Sequence, residues 1–574
     1  MLPLLLVASL AGSPVPDLVA SYLELTFETF PTRATDAGRH DRDAELEDLS
    51  PARRARFLAA NHAFLARVNE ALARSLSADD RLDANVLLRQ IRLTLHEWEV
   101  LRLPDRDPLF WTSIAANATV SLLLRDDLPL VQRLASAASR AEQIPRLAAQ
   151  AKEAFGGASS SYFIPEICRV GASQARAAAE FYRTGFAEAA RGEGAGERPR
   201  LAVAGDRAAP ALEGLADVLD AIGRRATLSP RLGPIDYPDR FALVTGSRES
   251  IASVLGRAER ALFLRRAEAA AYGRRMWAAL MPGEPPTDDC VLLERLFARV
   301  AEDRARDVDE FLDDARSLIG PLEALVAKRE VVTLPEPLTL FVGRSPSYFV
   351  GQSVGGVHPA GPYAPEAKTL FLLPTPKDDA SGAESEAFFR DFNRHFLTMI
   401  LAHELLPGHY VQMKRAARTQ RKVRSVFSNG VFVEGWGTFC ERLMLDEGWG
   451  GPLDRLAYLK KRMENAARAI ADIRIHTTGM TREEAIRLFR EEALQDEQFA
   501  ANVWTRSLTS APQLTTYFLG EEAISALVAE ARARRGADFR LRELLDAILD
   551  VGPVTVPEIR EAVLEGPLTP RGGG

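Results

Sequence analysis

A large, mainly α-helical fold is what this chain predicts, and three observations predict it. Over most of the 574 residues, apolar side chains recur three and four apart among alanine, arginine and glutamate, the period and the residue types of amphipathic helices. One stretch, residues 331–376, changes texture, with short β-branched or aromatic runs separated by Gly and Pro, and is the candidate for a small sheet. The chain is 47% hydrophobic, enough to bury a large core as one large or two medium domains.

In chain order, residues 1–13 open "MLPLLLVASLAGS". A short apolar run with small residues at Ser9 and Ala11 reads as a short signal segment, and the lack of Lys or Arg before it reads as a truncated start. Secreted or periplasmic and cytoplasmic locations both stay open. Residues 14–330 form a helical N-terminal region, as in "SPARRARFLAANHAFLARVNEALARSL", with breaks expected at 191–200, 229–238 and 281–289, where Gly, Pro and Asp gather. Helical periodicity returns after the sheet segment at "EAFFRDFNRHFLTMILAHELLPGHYVQMKRAAR", so 331–574 reads as a second region, continuous with the first. No fixed-period repeat is present.

Composition excludes several classes. Acidic residues outnumber basic ones, 79 to 72, and the signs are interleaved, unlike a nucleic-acid footprint. The three cysteines, Cys168, Cys290 and Cys440, lie far apart, which excludes a disulfide scaffold and a thiolate zinc knuckle and leaves His, Asp and Glu for any metal. No stretch is long and apolar enough to span a membrane.

The eight histidines concentrate after residue 350, and two fall in "AHELLPGHYVQ", residues 402–412. In H-E-x-x-H the histidines stand four apart on one helix face, and the Glu activates water. Here His403 and His409 stand six apart, about 120° from each other on an ideal helix. A straight helix cannot give both to one ion. Pro407 and Gly408 between them can bulge or end the turn and swing His409 back. Equally, the segment reads as a helix C-terminus with Pro-Gly as its stop; spacing alone leaves both open. "LHEWEV" at His96 and Glu97 shows that a His-Glu pair also occurs here without a second histidine.

Downstream, "FVEGWGTFCERLMLDEG" places Glu434 and Glu441 seven apart on one helix face. Two histidines and a glutamate from a second helix are the gluzincin arrangement. Glu434 would be the third ligand, with Glu441 a hydrogen-bond partner for a ligating histidine; taken alone, Glu441 reads as part of a solvated acidic face.

In order and spacing, "HELLPGHYVQ", "EGWGTFCERL", "DIRIHTTGMTREEAI" and "RSLTSAPQLTTYFLG" resemble the DUF885 family, bacterial H-E-x-x-P-G-H proteins that resemble zinc metallopeptidases. "LELTFETFPTRATDAGRHDRD" is similar to the start of that family, so the likeness covers nearly the whole chain. Matching positions are His403, Glu404, Pro407, Gly408, His409 and Gln412, then Glu434, Gly435, Trp436 and Glu441, then Asp472 and His476, then Arg506, Gln513, Tyr517 and Gly520. Phe439 stands where the family usually has Tyr.

The chemistry follows from the side chains. A zinc hydrolase needs a Lewis acid, a base for water and donors for the oxyanion. His403, His409 and Glu434 would hold one Zn2+, and Glu404 would take the proton. His476 and Tyr517 are the candidate oxyanion donors, with Asp472 orienting His476. Arg506 could bind a substrate carboxylate, and Gln412 and Glu441 would support the ligands. The bland readings are a core aromatic for Tyr517 and a helix cap for His476. His395, His358 and the basic run 413–425 are weaker candidates for ligand, cleft wall and steering surface. The expected protein is a zincin-like (gluzincin-type) metallohydrolase, a metallopeptidase for short peptides. Its rivals are an amidase or esterase on another acyl substrate, and a non-catalytic helical binding protein with a degenerate site.

Overall fold

The computed structural model describes residues 13–156, 159–229, 231–345, 356–376 and 380–565. Of the segment read as a signal, only Ser13 lies among them.

Helices begin where a short polar side chain can accept from the first free amides. Ser77 accepts from the Asp80 amide, Asn393 from Phe396 and Asn429 from Phe432. Thr481 and Glu484 form a reciprocal capping box. In the N-terminal part, the helices Pro108–Asn117, Leu130–Gly156, Pro165–Glu180 and Arg198–Gly223 share one core. Its facing rows are largely alanine, among them Ala137, Ala138, Ala141, Ala175, Ala204 and Ala208, and small side chains let long helices approach closely. The expected break at 229–238 ends early. The helix Gly233–Thr245 begins inside it, with Pro234 in the first turn, where a missing N–H leaves no helix bond unmade.

The described residues of the sheet segment form three strands, β1 (Leu340–Arg344), β2 (Gly356–His358) and β3 (Thr369–Leu373), in the order β1-β3-β2. β3 runs parallel to β1 and antiparallel to β2, with Gly356 opposite Leu372 and His358 opposite Leu370. All five residues of β3 are buried, as its unbroken apolar run requires. Residue 330 is no packing boundary. One core joins Val15, Leu18, Tyr22 and Phe64 to Leu397, Leu401, Trp436 and Ile524. Another joins the helix Ile251–Leu280 to Pro452–Thr477.

Two helices of the second region meet backbone to backbone. Gly430–Asp446 and Thr516–Arg535 cross at Gly435 and Gly520, where a Cβ on Gly435 would fall 2.3 Å from the Gly520 Cα and one on Gly520 would fall 2.0 Å from the Val431 carbonyl oxygen. Only residues without a Cβ permit that crossing. Gly520→Ala is therefore expected to push the helices apart and lower stability by about 1–3 kcal/mol, read as a lower urea midpoint; an unchanged midpoint would contradict the contact.

Candidate metal centre

The helix Arg394–Glu404 carries His403 on its last turn, and Leu401 O accepts from both Leu405 N (2.9 Å) and Leu406 N (3.2 Å) as it closes. Leu406–Pro407 is a cis peptide bond. A new helix, His409–Arg418, starts two residues later, its first turn closed by Gln412 N donating to Gly408 O at 3.0 Å. At Gly408 the chain turns back on itself so tightly that a Cβ would stand 1.8 Å from the His403 carbonyl oxygen and 2.5 Å from that of Ala402. Trp436 Nε1 holds the turn by donating to Pro407 O at 2.9 Å. The helix thus ends instead of continuing, and the His403 and His409 rings come to 4.7 Å between centroids.

Both imidazoles face Glu434 on the helix Gly430–Asp446. His403 Nε2 lies 3.7 Å and His409 Nε2 3.8 Å from Glu434 Oε2, and one ligand atom from each of the three residues lies within 4.8 Å of the others. Ligand atoms about 2.0–2.1 Å from a tetrahedral zinc stand roughly 3.4 Å apart, so small rotations would close this set on one ion. The remaining ring nitrogens are spoken for. His403 Nδ1 pairs with Glu441 Oε1 at 2.7 Å, and His409 Nδ1 with Gln412 Oε1 at 3.3 Å, which directs both Nε2 atoms inward. Gly437 makes room for His403, because a Cβ there would fall 2.7 Å from its ring.

The electrostatics suit a cation. Burial works against charge on His403, yet Glu434 and Glu441 hold its pKa up at about 10. Burial would raise Glu434, but His403 and His409 hold its carboxyl far below the ordinary range. Glu441 is pushed up by burial in spite of His403. A largely buried site gathering two imidazoles and several carboxylates favours a bound positive charge.

Glu404, beside His403, is half-buried and forms no hydrogen bond or ion pair with a described residue. Its Oε2 faces the start of β2, where a Cβ on Gly356 would come to 3.9 Å. Tyr517 and Arg506 feel the charge of Glu434. Burial and then Glu434 raise the Tyr517 phenol, against Arg506 and Arg468, so its O–H stays protonated. Gln513 Nε2 donates to the Tyr517 oxygen at 3.3 Å, and Arg506 Nη2 donates to Gln513 Oε1 at 2.8 Å. Arg506 thus holds Gln513 through Nη2, one of its five N–H donors. Arg468, which carried no motif signal, lies 5.2 Å over the Tyr517 ring.

His476 and Asp472 are corrected. His476 Nδ1 accepts from Leu232 N at 3.2 Å and Nε2 donates to Ser507 O at 3.0 Å. Burial pushes its pKa down to about 4, and a neutral imidazole has only one N–H, already used. It cannot serve as an oxyanion donor. Nor does Asp472 orient it: Asp472 Oδ1 accepts from the Tyr237 hydroxyl at 2.7 Å, while the Tyr237 ring stacks on His476 at 5.4 Å and 10°. Tyr237 comes from the expected break at 229–238, where nothing in the sequence marked it.

The weaker candidates also resolve. His395 binds Asp454 (3.1 Å) and Asp303 (3.4 Å), away from the cluster. In the run 413–425, Arg415 pairs with Asp546 and Asp550, Arg421 with Asp80 and Asp83, and Arg424 with Asp79 and Asp83. These arginines stitch distant segments together and form no steering surface. A cavity of about 1500 Å³ beside the Gly435–Gly520 crossing is lined by none of the cluster residues, and its buried Arg265 is paired with Glu521 at 2.7 Å.

A family model described as "Bacterial protein of unknown function (DUF885)" matches residues 31–563. Two solved structures share the architecture. A candidate lipoprotein of unknown function from Shewanella oneidensis superposes with a TM-score of 0.79 at 25% identity, covering 96% of this chain and 100% of that one. A candidate lipoprotein from Colwellia psychrerythraea gives 0.77 at 17% identity, covering 96% and 99%. No curated protein matches the chain.

Glu441→Gln removes the carboxylate that orients His403, and metal affinity is expected to fall about 10–100-fold in competition with a chelating dye. Asp472 gives a pH test. Burial raises its pKa from 3.8 to about 7, against the Tyr237 and Leu514 hydrogen bonds. Between those values the folded state holds a proton that the unfolded state has lost, so stability from this group is present at low pH and falls as pH rises toward 7. Asp472→Asn should flatten that part of the melting-temperature profile, and an unaltered slope would contradict the shift.

Proposed function

Since the chain belongs to the DUF885 family, described as bacterial proteins of unknown function, we propose from its own residues that it is a zinc-dependent hydrolase, a metallopeptidase for short peptides on a zincin-like (gluzincin-type) framework. The observation that carries this reading is the convergence of His403, His409 and Glu434 within 4.8 Å, beside a Glu404 that has no structural partner among the described residues.

Two imidazoles and one carboxylate are a donor set well suited to zinc. A Zn2+ held by these three residues would supply a Lewis acid that polarises the scissile carbonyl and acidifies water. The chain's own groups then have distinct tasks. Glu404, adjacent in sequence to His403 and without a competing hydrogen bond among the described residues, takes the proton from the attacking water and passes it to the leaving amine. Tyr517, kept protonated, donates its O–H to the oxyanion that develops on the carbonyl. Arg506 and Gln513 position that phenol, and Arg468 packs over its ring. Glu441 and Gln412 fix the imidazole orientations.

Elemental analysis of the purified protein should find about one zinc per chain, lost in His403→Ala. Glu404→Gln should keep the metal while kcat in a peptide-library digest drops at least about 100-fold. A protein that holds no metal under saturating zinc would end this reading. Cleavage of acyl esters or non-peptide amides alone would redirect it to an esterase or amidase.

A further inference from the structure

Beside the metal cluster lies a second cavity of about 460 Å³, walled by Arg33 and Asp36 from the N-terminal part, Arg125, His358 at the end of β2, and Met413. Met413 stands four residues after His409 on the same helix, about 6 Å along its axis. His358 lies two strand residues beyond Gly356, which borders Glu404, about 7 Å away. The cavity is therefore reached from the scissile position by one or two extended residues.

Arg125 marks what it would bind. It is only 9% exposed. Nη2 donates to Pro359 O (2.7 Å) and Asp36 O (3.4 Å), whereas Nη1 is buried with no hydrogen-bond partner among the described residues. No described carboxylate stands within ion-pair distance of it. Asp36 accepts from Ser121 Oγ, and Asp127 pairs with His40. Burial, helped by Arg125, pushes His358 down to about 4, so it adds no charge. Two arginines against one aspartate leave a single net positive charge. A buried guanidinium without a counter-ion is costly, and a carboxylate entering the cavity supplies both the charge and the acceptor for Nη1.

We propose that this cavity is the subsite for the free α-carboxylate of the substrate, with Arg125 as its specificity-determining residue, so that peptides are cut one or two residues from the C-terminus. The inference rests on the hydrolytic reading of the cluster. Water adds to the carbonyl carbon, the C–N bond breaks with its electron pair going to nitrogen, and the nitrogen takes a proton, releasing a one- or two-residue product.

The test compares tetra-alanine with its C-terminal amide by calorimetric titration into the full-length Glu404→Gln protein, with cleavage positions mapped by mass spectrometry for the wild type. The free acid should bind at least about tenfold more tightly than the amide. That preference should vanish in Glu404→Gln/Arg125→Met and survive in part in Glu404→Gln/Arg125→Lys; the acid and amide comparison stands even if the Met variant does not fold. Equal binding of the two peptides, or binding of neither, overturns the subsite. A preference for the acid without peptide cleavage by the wild type would retain the subsite and remove the peptidase. Cleavage of both peptides at the same bonds and rates would do the reverse.

Discussion

The site depends on one backbone contact, the approach of Gly408 to the His403 carbonyl. A helix that continued past Glu404 would send His409 about 120° away from His403. Here the helix stops, the chain doubles back over its own last turn, and His409 starts a new helix with its ring against that of His403. The contact leaves no room for a Cβ, and the indole of Trp436 clamps it from the neighbouring helix. The same helix brings Glu434, so the group that holds the turn is built on the element that completes the cluster.

Glycine repeats this role along the helix Gly430–Asp446. Gly437 admits the His403 ring on one side, and Gly435 admits the Thr516–Arg535 helix at Gly520 on the other. The latter contact carries Tyr517 to the neighbourhood of Glu434. These close approaches replace side-chain interdigitation with backbone contact, which fixes helix spacing more tightly than a repackable core would. Buried ion pairs such as Arg265–Glu521 and Arg424–Asp83 add little net stability for their desolvation, and their geometric demand fixes how distant segments align.

The N-terminal region is part of the site's frame. Tyr237 reaches across to Asp472 and His476, and Arg125 with Arg33 walls the cavity beyond His409. Two hydrophobic cores run through the position where composition changes near residue 330. Peptide chemistry at the cluster and carboxylate capture in the cavity would therefore draw on both regions at once.

Local rules carried the sequence a long way. The 3.6-residue period located the helices, the apolar run "TLFLL" in the segment of changed texture located the central strand, and the His, Glu and Pro-Gly of "AHELLPGHYVQ" located the cluster together with the condition that its helix must bulge or end. Glu434 and Glu441, seven apart, were legible because helix geometry alone puts them on one face. What only the tertiary structure decided are the contacts between distant segments. Asp472 and His476, one turn apart, looked paired, but Tyr237 enters from 235 residues away and takes Asp472. Arg506 read only as a possible carboxylate binder, and it also holds Gln513; Arg125 carried no sequence signal, yet folding buries it with no hydrogen-bond partner for Nη1 among the described residues. Periodicity reports which face of an element is buried. Which partner meets that face depends on the packing of the whole chain, and that packing leaves no local signal.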